Sequence, residues 1–307
     1  MEKNCGGLTG KIMNIPSVTI KELLEAGVHL GHKTFRWNPK MSKFIFGSKN
    51  SIHIIDLVQT LEMANAALIE IHKCISSGGR ILFVSTKKQA AETIASLAKD
   101  TSQYYVNHRW LGGMLTNWKT ISNSIKKYKK LTSDLQKEST GFTKKENLKM
   151  ATQRDKLERS LGGIADMKKT PDMIFIVDTN IEDLAVKEAL RLSIPIVAIL
   201  DTNSDPTGIH YPIPGNDDAR RAINLYCDLI KQTILDAQNN IPKVNLEEIK
   251  NKDKTNNEKL ESIEENKVKE LKNTKPENKN TGVITEKKTL SKSFFAKVKS
   301  LTSKKTK

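Results

Sequence analysis

Carboxylates follow the apolar runs of this chain at places where they could do chemistry. Asp178 closes the run from residue 172, and Asp201 and Asp205 lie just past the run 194–200. Paired carboxylates there could hold a divalent ion, with His29, His32 or His210 joining them. Asp and Asn beyond a strand are also ordinary cap and turn residues, so no metal and no catalytic group is assigned to them. A second constellation, Ser85-Thr86-Lys87-Lys88, falls where a strand should hand over to a helix. Backbone N–H groups and two lysines at such a junction could receive a phosphate, although any capped helix start offers the same groups. His108 and Arg109 read as a core or docking pair before an acid–base couple. The sequence has no GxGxxG turn, no GxxxxGK[ST] loop and no GxSxG elbow, so nucleotide and nucleophile enzymes of the common α/β types lack their defining residues.

The other chemistry on offer is cationic. In residues 28–41, Lys33, Arg36 and Lys40 alternate with Phe35 and Trp37 on an irregular stretch. Cations beside aromatics suit an RNA-contacting arm, in which rings stack on bases and cations meet phosphate. A structural loop packed through Trp37 has the same composition, and the residues alone leave both readings open. Over the 307 residues the formal net charge is +16 and the pI about 9.6, a balance that usually answers a polyanionic partner. Residues 251–307 hold 16 Lys, no Arg and 8 acidic residues, so half of the surplus is in the tail. Cys5, Cys74 and Cys227 are scattered and form neither a disulfide framework nor a zinc spacing. No secretory signal is apparent, and no apolar run approaches the ~20 residues that span a bilayer. A cytoplasmic setting is expected.

Strands and helices should position these groups. Thr19 and Glu22 frame a capping box for a helix that Gly27 stops. Short apolar runs around residues 47–50 predict a β-hairpin. A helix is expected over 57–76, a buried strand over 80–86, and a helix capped by Thr86 that runs to about 99. After a short segment at 103–106, two basic segments with three-and-four apolar spacing read as an antiparallel helical hairpin. Trp118, Ile121, Ile125 and Tyr128 mark the first; Leu157, Leu161 and Ile164 mark the second. Thr143 and Glu146 would restart the helix after a break at 139–141. Strands at 172–178 and 194–200, a helix at 182–192, an edge strand at 211–214 and a helix capped by Asn216 complete the pattern. Strands alternating with helices imply a mostly parallel, doubly wound α/β sheet. Residues 1–16 form an irregular lead-in, 17–106 and 170–240 the discontinuous α/β domain, and 107–169 the inserted hairpin. Residues 241–307 are too polar to bury a core and should be disordered, with one apolar face at Phe294, Phe295, Val298 and Leu301.

Several long motifs occur in one order: Gly27-Val-His-Leu-Gly-His32, Trp37-Asn-Pro-Lys-Met41, Ile52-His-Ile-Ile55 and Asn107-His-Arg-Trp-Leu-Gly-Gly-Met-Leu-Thr-Asn-Trp118. Asp201-Thr-Asn-Ser-Asp-Pro206 and Ile213-Pro-Gly-Asn-Asp-Asp218 follow. Together they resemble the bacterial-type second protein of the small ribosomal subunit, over about residues 17–236. The resemblance implies a flavodoxin-like domain with a protruding coiled-coil hairpin, docked on small-subunit ribosomal RNA. It implies neighbouring small-subunit proteins as partners, including the messenger-binding protein S one, and neither cofactor, membrane nor catalysis. Ser193 departs from the family pattern, which more often has Gly after that helix.

With that resemblance, charge and aromatic context nominate Lys33, Arg36, Trp37, Lys40, Lys43, Arg109, Trp110, Lys119, Lys126 and Lys127 as the RNA-binding set. Trp37 and Trp110 should pack or stack beside the cations. The rival from another class is an α/β enzyme that takes a phosphorylated substrate between residues 86–88 and 201–205. A membrane-surface adaptor acting through the basic tail is a third reading.

Overall fold

The computed structural model describes residues 16–136 and 143–239. The lead-in before residue 16, the helix break at 139–141 and the basic tail lie outside these residues.

Helix α1 (Ile20–Glu25) starts as its sequence requires. The Thr19 hydroxyl accepts from the Glu22 amide, and the Glu22 carboxylate accepts from the Thr19 amide. Strand β1 (Leu30–Lys33) follows, then two 3-10 turns (Thr34–Arg36 and Pro39–Phe44), β2 (Ile45–Lys49) and β3 (Ile52–Ile55). The expected hairpin is β2–β3, turned by Asn50 and Ser51 at φ 52° and 60°. β1 pairs antiparallel with the other side of β3, giving a small sheet in the order β1-β3-β2. Residues 30–33, read as loop, are therefore a strand. Leu-Gly-His-Lys has no alternation and no β-branched residue, and its pairing comes from β3 rather than from its own propensity.

Helix α2 (Leu57–Ser76) is N-capped by Asp56, whose carboxylate accepts from the Val58 amide. Next come β4 (Ile81–Val84), α3 (Ala91–Asp100), β5 (Tyr104–Val106), α4 (Trp118–Gln136) and α5 (Lys144–Leu161). α4 and α5 contact each other, and Thr143 and Glu146 form the expected capping box. The chain then gives β6 (Met173–Val177), α6 (Asp183–Arg191), β7 (Ile196–Leu200), β8 (Tyr211–Pro214) and α7 (Arg220–Asn239). The five strands β4–β8 pair in parallel in the order β5-β4-β6-β7-β8. Renumbered from β4, this is the 2-1-3-4-5 order of flavodoxin-like sheets, with the topological switch between β4 and β6.

Alternation along the strands separates two cores. Phe83, Phe175, Val177, Val197 and Ile199 face α1, α2, α3 and α7. Leu82, Val84, Ile174, Ile176, Ala198 and Leu200 face the other way, where Met41 and Phe44, the segment Trp110–Leu115, Ile121 and Ile125 of α4, Leu161 of α5 and Ala185 and Ala189 of α6 cover them. A strand buried on both faces needs the unbroken apolar run that these strands have. Each large aliphatic side chain so buried contributes about 1.5–3 kcal/mol. β8 carries Pro212 and Pro214 because it lies at a sheet edge, where a missing N–H costs least.

Two helix starts differ from the sequence reading. α3 begins at Ala91 without a side-chain cap, its N-cap position being Ala90, while the Thr86 amide donates to the Glu182 carboxylate. Asn216 does act as a cap-like acceptor, taking the Asp218 and Ala219 amides at 2.8 and 3.1 Å. It caps a turn, however, and α7 begins only at Arg220. Asp217 is thereby fully buried, not placed in a solvated first turn.

Ser193 follows α6 with φ 54°, and the Ile194 amide closes the helix end on the Ala189 carbonyl. Left-handed backbone disfavours any residue with a Cβ. Ser193→Gly is therefore expected to stabilise the fold by about 0.5–1 kcal/mol, measurable as a higher urea midpoint with unchanged m-value.

Candidate nucleic-acid interface

The basic loop is pinned from below and free above. Asn38 caps the turn Pro39–Phe44 by accepting the Lys40 amide, and its own amide donates to the Thr202 carbonyl at 2.8 Å. Met41 and Phe44 drop into the second core. That leaves Lys33, Arg36, Trp37, Lys40 and Lys43 exposed around a fixed backbone. The Arg36 guanidinium lies 5.5 Å from the Phe35 ring centroid, and the Lys43 ammonium 4.7 Å from that of Phe44. The Phe35 ring is itself 72% exposed. Trp37 is 40% exposed, with its ring 5.5 Å from that of His53. Lys40 differs from its neighbours: its ammonium is 2.7 Å from Asp205 and 2.9 Å from the Thr207 hydroxyl. The hydrogen bond from Lys40, then those of Thr207, hold Asp205 down at about 2. The pair is exposed and contributes at most about 1 kcal/mol.

The second part of the candidate surface is built on one buried carboxylate. Glu188 of α6 accepts from the Trp110 indole N–H at 3.1 Å and from the Gly113, Leu115 and Thr116 amides at 2.8, 2.9 and 3.1 Å. The Thr116 hydroxyl adds a further donor at 3.1 Å. Burial alone would push this carboxyl up. The hydrogen bonds of Thr116, Leu115, Trp110 and Gly113 outweigh it and hold Glu188 below the ordinary glutamate range. Of the two roles expected for Trp110, packing or stacking, its geometry favours packing: its ring is 7% exposed and its indole N–H is donated inside the protein. Arg109, next to it, is exposed.

From this loop α4 leaves with Ile121 and Ile125 buried and Lys119, Lys126 and Lys127 exposed. Among the described residues these three lysines, Arg109, Lys33, Arg36 and Lys43 show no ion pair, whereas Lys129 is paired with Asp166 at 2.9 Å. The cations of residues 33–43 and those of α4 stand on separate elements. Their supports are joined, since Met41, Phe44, Trp110, Met114 and Ile121 belong to one core.

The crevice at the carboxyl ends of the parallel strands is where a ligand of this fold would bind. It is filled by the chain's own acids. Lys87 lies 2.8 Å from Asp217, 2.7 Å from Asp218 and 3.3 Å from Asp178, and Glu182 occupies the Thr86 amide. Burial first, then the charges of Asp178 and Asp201, push Asp217 up to about 7 against the pull of Lys87. His32 Nδ1 is 2.8 Å from Asp201, and that hydrogen bond, with the negative charges around it, raises the imidazole. The reading of Thr86–Lys88 as a phosphate site gains no support here: the Thr86 amide and the Lys87 ammonium are taken by acids, whose negative field disfavours an anion. Asp205, expected beside Asp201, instead faces Lys40.

Sequence reasoning missed Glu188 and the gathering of Asp217 and Asp218 around Lys87. A signal for the first existed: Glu188 shares the buried face of α6 with Ala185 and Ala189, and an acid at such a position needs donors.

Fold and site together define a flavodoxin-like α/β protein with an acid-lined crevice and a basic periphery. The family described as Ribosomal protein S2 matches residues 23–237. Small ribosomal subunit protein uS2 of Sinorhizobium medicae is 59% identical over 224 residues, covering 73% of this chain and 88% of that one. Its counterpart in Parvibaculum lavamentivorans is 56% identical over the same shares. That of Azorhizobium caulinodans is 59% identical over 225 residues, 73% of this chain and 68% of its own. The chain belongs to the ribosomal protein S2 family.

Glu188→Gln replaces one acceptor oxygen by a donor facing N–H groups. It is expected to cost about 2–4 kcal/mol and to leave Trp110 with altered fluorescence. Because the folded carboxyl is depressed, its stabilisation is full above the ordinary value of about 4.3 and is lost as pH falls through the folded value. Urea unfolding across pH 3–6 should therefore show a component of acid destabilisation in the parent that the variant lacks.

Proposed function

We propose that this chain is a structural constituent of the small ribosomal subunit that binds ribosomal RNA through its exposed cations and has no catalytic role. The observation that carries the reading is the identity of up to 59% with small-subunit proteins across almost all of the described residues. The geometry supports it. Lys33, Arg36, Lys43, Arg109, Lys119, Lys126 and Lys127 are exposed on rigidly anchored backbone, the arrangement that lets phosphate contacts set orientation. Lys40 joins them at the cost of its pairing with Asp205. Trp37, with Phe35 beside Arg36, supplies the faces on which unstacked bases rest. Trp110 acts from beneath, by packing. Partners are small-subunit RNA, neighbouring subunit proteins and the messenger-binding protein S one, which this chain helps to recruit. The ribosome is its place of work, in the cytoplasm. No helix among the described residues is long and apolar enough to cross a membrane.

Small subunits isolated on a low-salt gradient should contain this chain in stoichiometric amount; subunits consistently without it would overturn the reading. Replacing Lys119, Lys126 and Lys127 together by Glu should reduce incorporation roughly tenfold or more. RNA binding by that variant should lose about two units of its slope against salt. Unchanged incorporation would return α4 to an inert solvated face.

A further inference from the structure

We propose that His53 is a positioning residue for RNA recognition: its ring backs Trp37 and presents the exposed side of the indole to a single unstacked RNA base. The inference rests on the RNA-binding reading of residues 33–43. It adds the residue that makes one ring of that loop selective for unpaired strands.

The backbone around Trp37 is tied down on both sides. The Thr34 amide donates to the Ser51 carbonyl at 2.9 Å, and the Asn38 amide to the Thr202 carbonyl at 2.8 Å. Trp37 itself is extended, at φ -85° and ψ 159°. What remains free is rotation of the indole about its side-chain bonds. His53 limits that freedom. It lies on β3, the central strand of the small sheet, opposite Ser48 of β2. Its ring centroid is 5.5 Å from that of Trp37, with 45° between the planes, a separation at which aromatic pairs attract. Trp37 still keeps 40% of its surface open. Phe35 is the contrast: it is 72% exposed, with the Arg36 guanidinium over it. Among the described residues the other ring pair, Phe83 with Phe175, lies inside the core, so Trp37 is the exposed aromatic that is backed by a ring.

His53 acts here through its face. The residue is half-buried, and Nδ1 and Nε2 are both enclosed without a hydrogen-bond partner. Two unpartnered nitrogens weaken the fold relative to an apolar side chain, so stability does not account for an imidazole at this position. Recognition does. A flat ring behind the indole fixes the indole plane before RNA arrives, which removes an ordering cost from binding. It also continues the stack, from imidazole to indole to base. Bases inside a duplex are already stacked on one another, so the ligand of this site is an unpaired base. Lys33 and Arg36, close by in the chain and exposed, serve the adjoining phosphates.

The full-length protein is titrated with oligouridylate of about 12 nucleotides and with duplex RNA of about the same length. His53→Leu, which fills the space without a flat ring, should keep its Tm and bind the single strand about fivefold more weakly. His53→Phe, which restores the ring without the nitrogens, should bind it within about twofold of the parent. Duplex binding should be equal in all three. Trp37→Ala should also weaken single-strand binding, and adding His53→Leu to it should cost nothing further. In protein carrying fluorotryptophan, oligouridylate should displace the fluorine NMR line that Trp37→Phe removes. Single-strand binding by His53→Leu equal to that of the parent, or additive losses with Trp37→Ala, would overturn the inference. The RNA reading itself is read separately, from weaker binding of both RNAs when Lys119, Lys126 and Lys127 become Glu; a parent that binds neither RNA overturns both. Should His53→Leu not fold, an unmoved Trp37 line in the parent overturns the positioning role.

Discussion

The acceptor capacity of one carboxylate holds this protein's most distinctive segment in place. Residues 107–117 have no strand or helix to satisfy their N–H groups. Glu188 takes several of them together with the Trp110 indole. Desolvating a carboxylate is costly, and only a convergent set of donors offsets it. Helix α6, which packs on the sheet through Ala185 and Ala189, thus transmits the rigidity of the sheet to the segment from which α4 departs. The lysines of α4 inherit their position from that support.

The small sheet is attached by a different device. Met41 and Phe44 enter the same core as Trp110, and Asn38 is bonded to the loop after β7. Apolar burial sets the depth of the basic loop, and backbone hydrogen bonding sets its register. The placement of the loop then needs no ordering of its exposed charged side chains, which keep their rotamer entropy. The acidic cluster behind the loop has the opposite logic. There most of the charges are buried and mutually constrained, and they line the crevice that related folds use for phosphates.

How far the sequence reached depended on whether a partner was local. Capping boxes at Thr19–Glu22 and Thr143–Glu146 span three residues and form as read. Helix α2 follows from its own periodicity. Failures came from groups far along the chain. Thr86 does not cap α3, which starts five residues on at Ala91, and its amide goes instead to Glu182, 96 residues away. β1 exists because β3 pairs with it. Trp110 stood among cations and looked like a stacking ring, yet an acid 78 residues further on draws it inward. Asp205 and Asp201 are near in sequence and serve different neighbours, Lys40 and His32. Residue type announced the chemistry available; only tertiary proximity decided which groups would spend it on one another.

The prolines of β8 have a consequence for the free protein. The Gly215 amide bonds inward to Leu200, so the alternation of a strand turns the nitrogens of Pro212 and Pro214 outward. That rim of the sheet therefore lacks the donors with which a stray strand would zip onto it. At this border the backbone itself disfavours pairing with a second copy of the chain, and no charged side chain is needed for it.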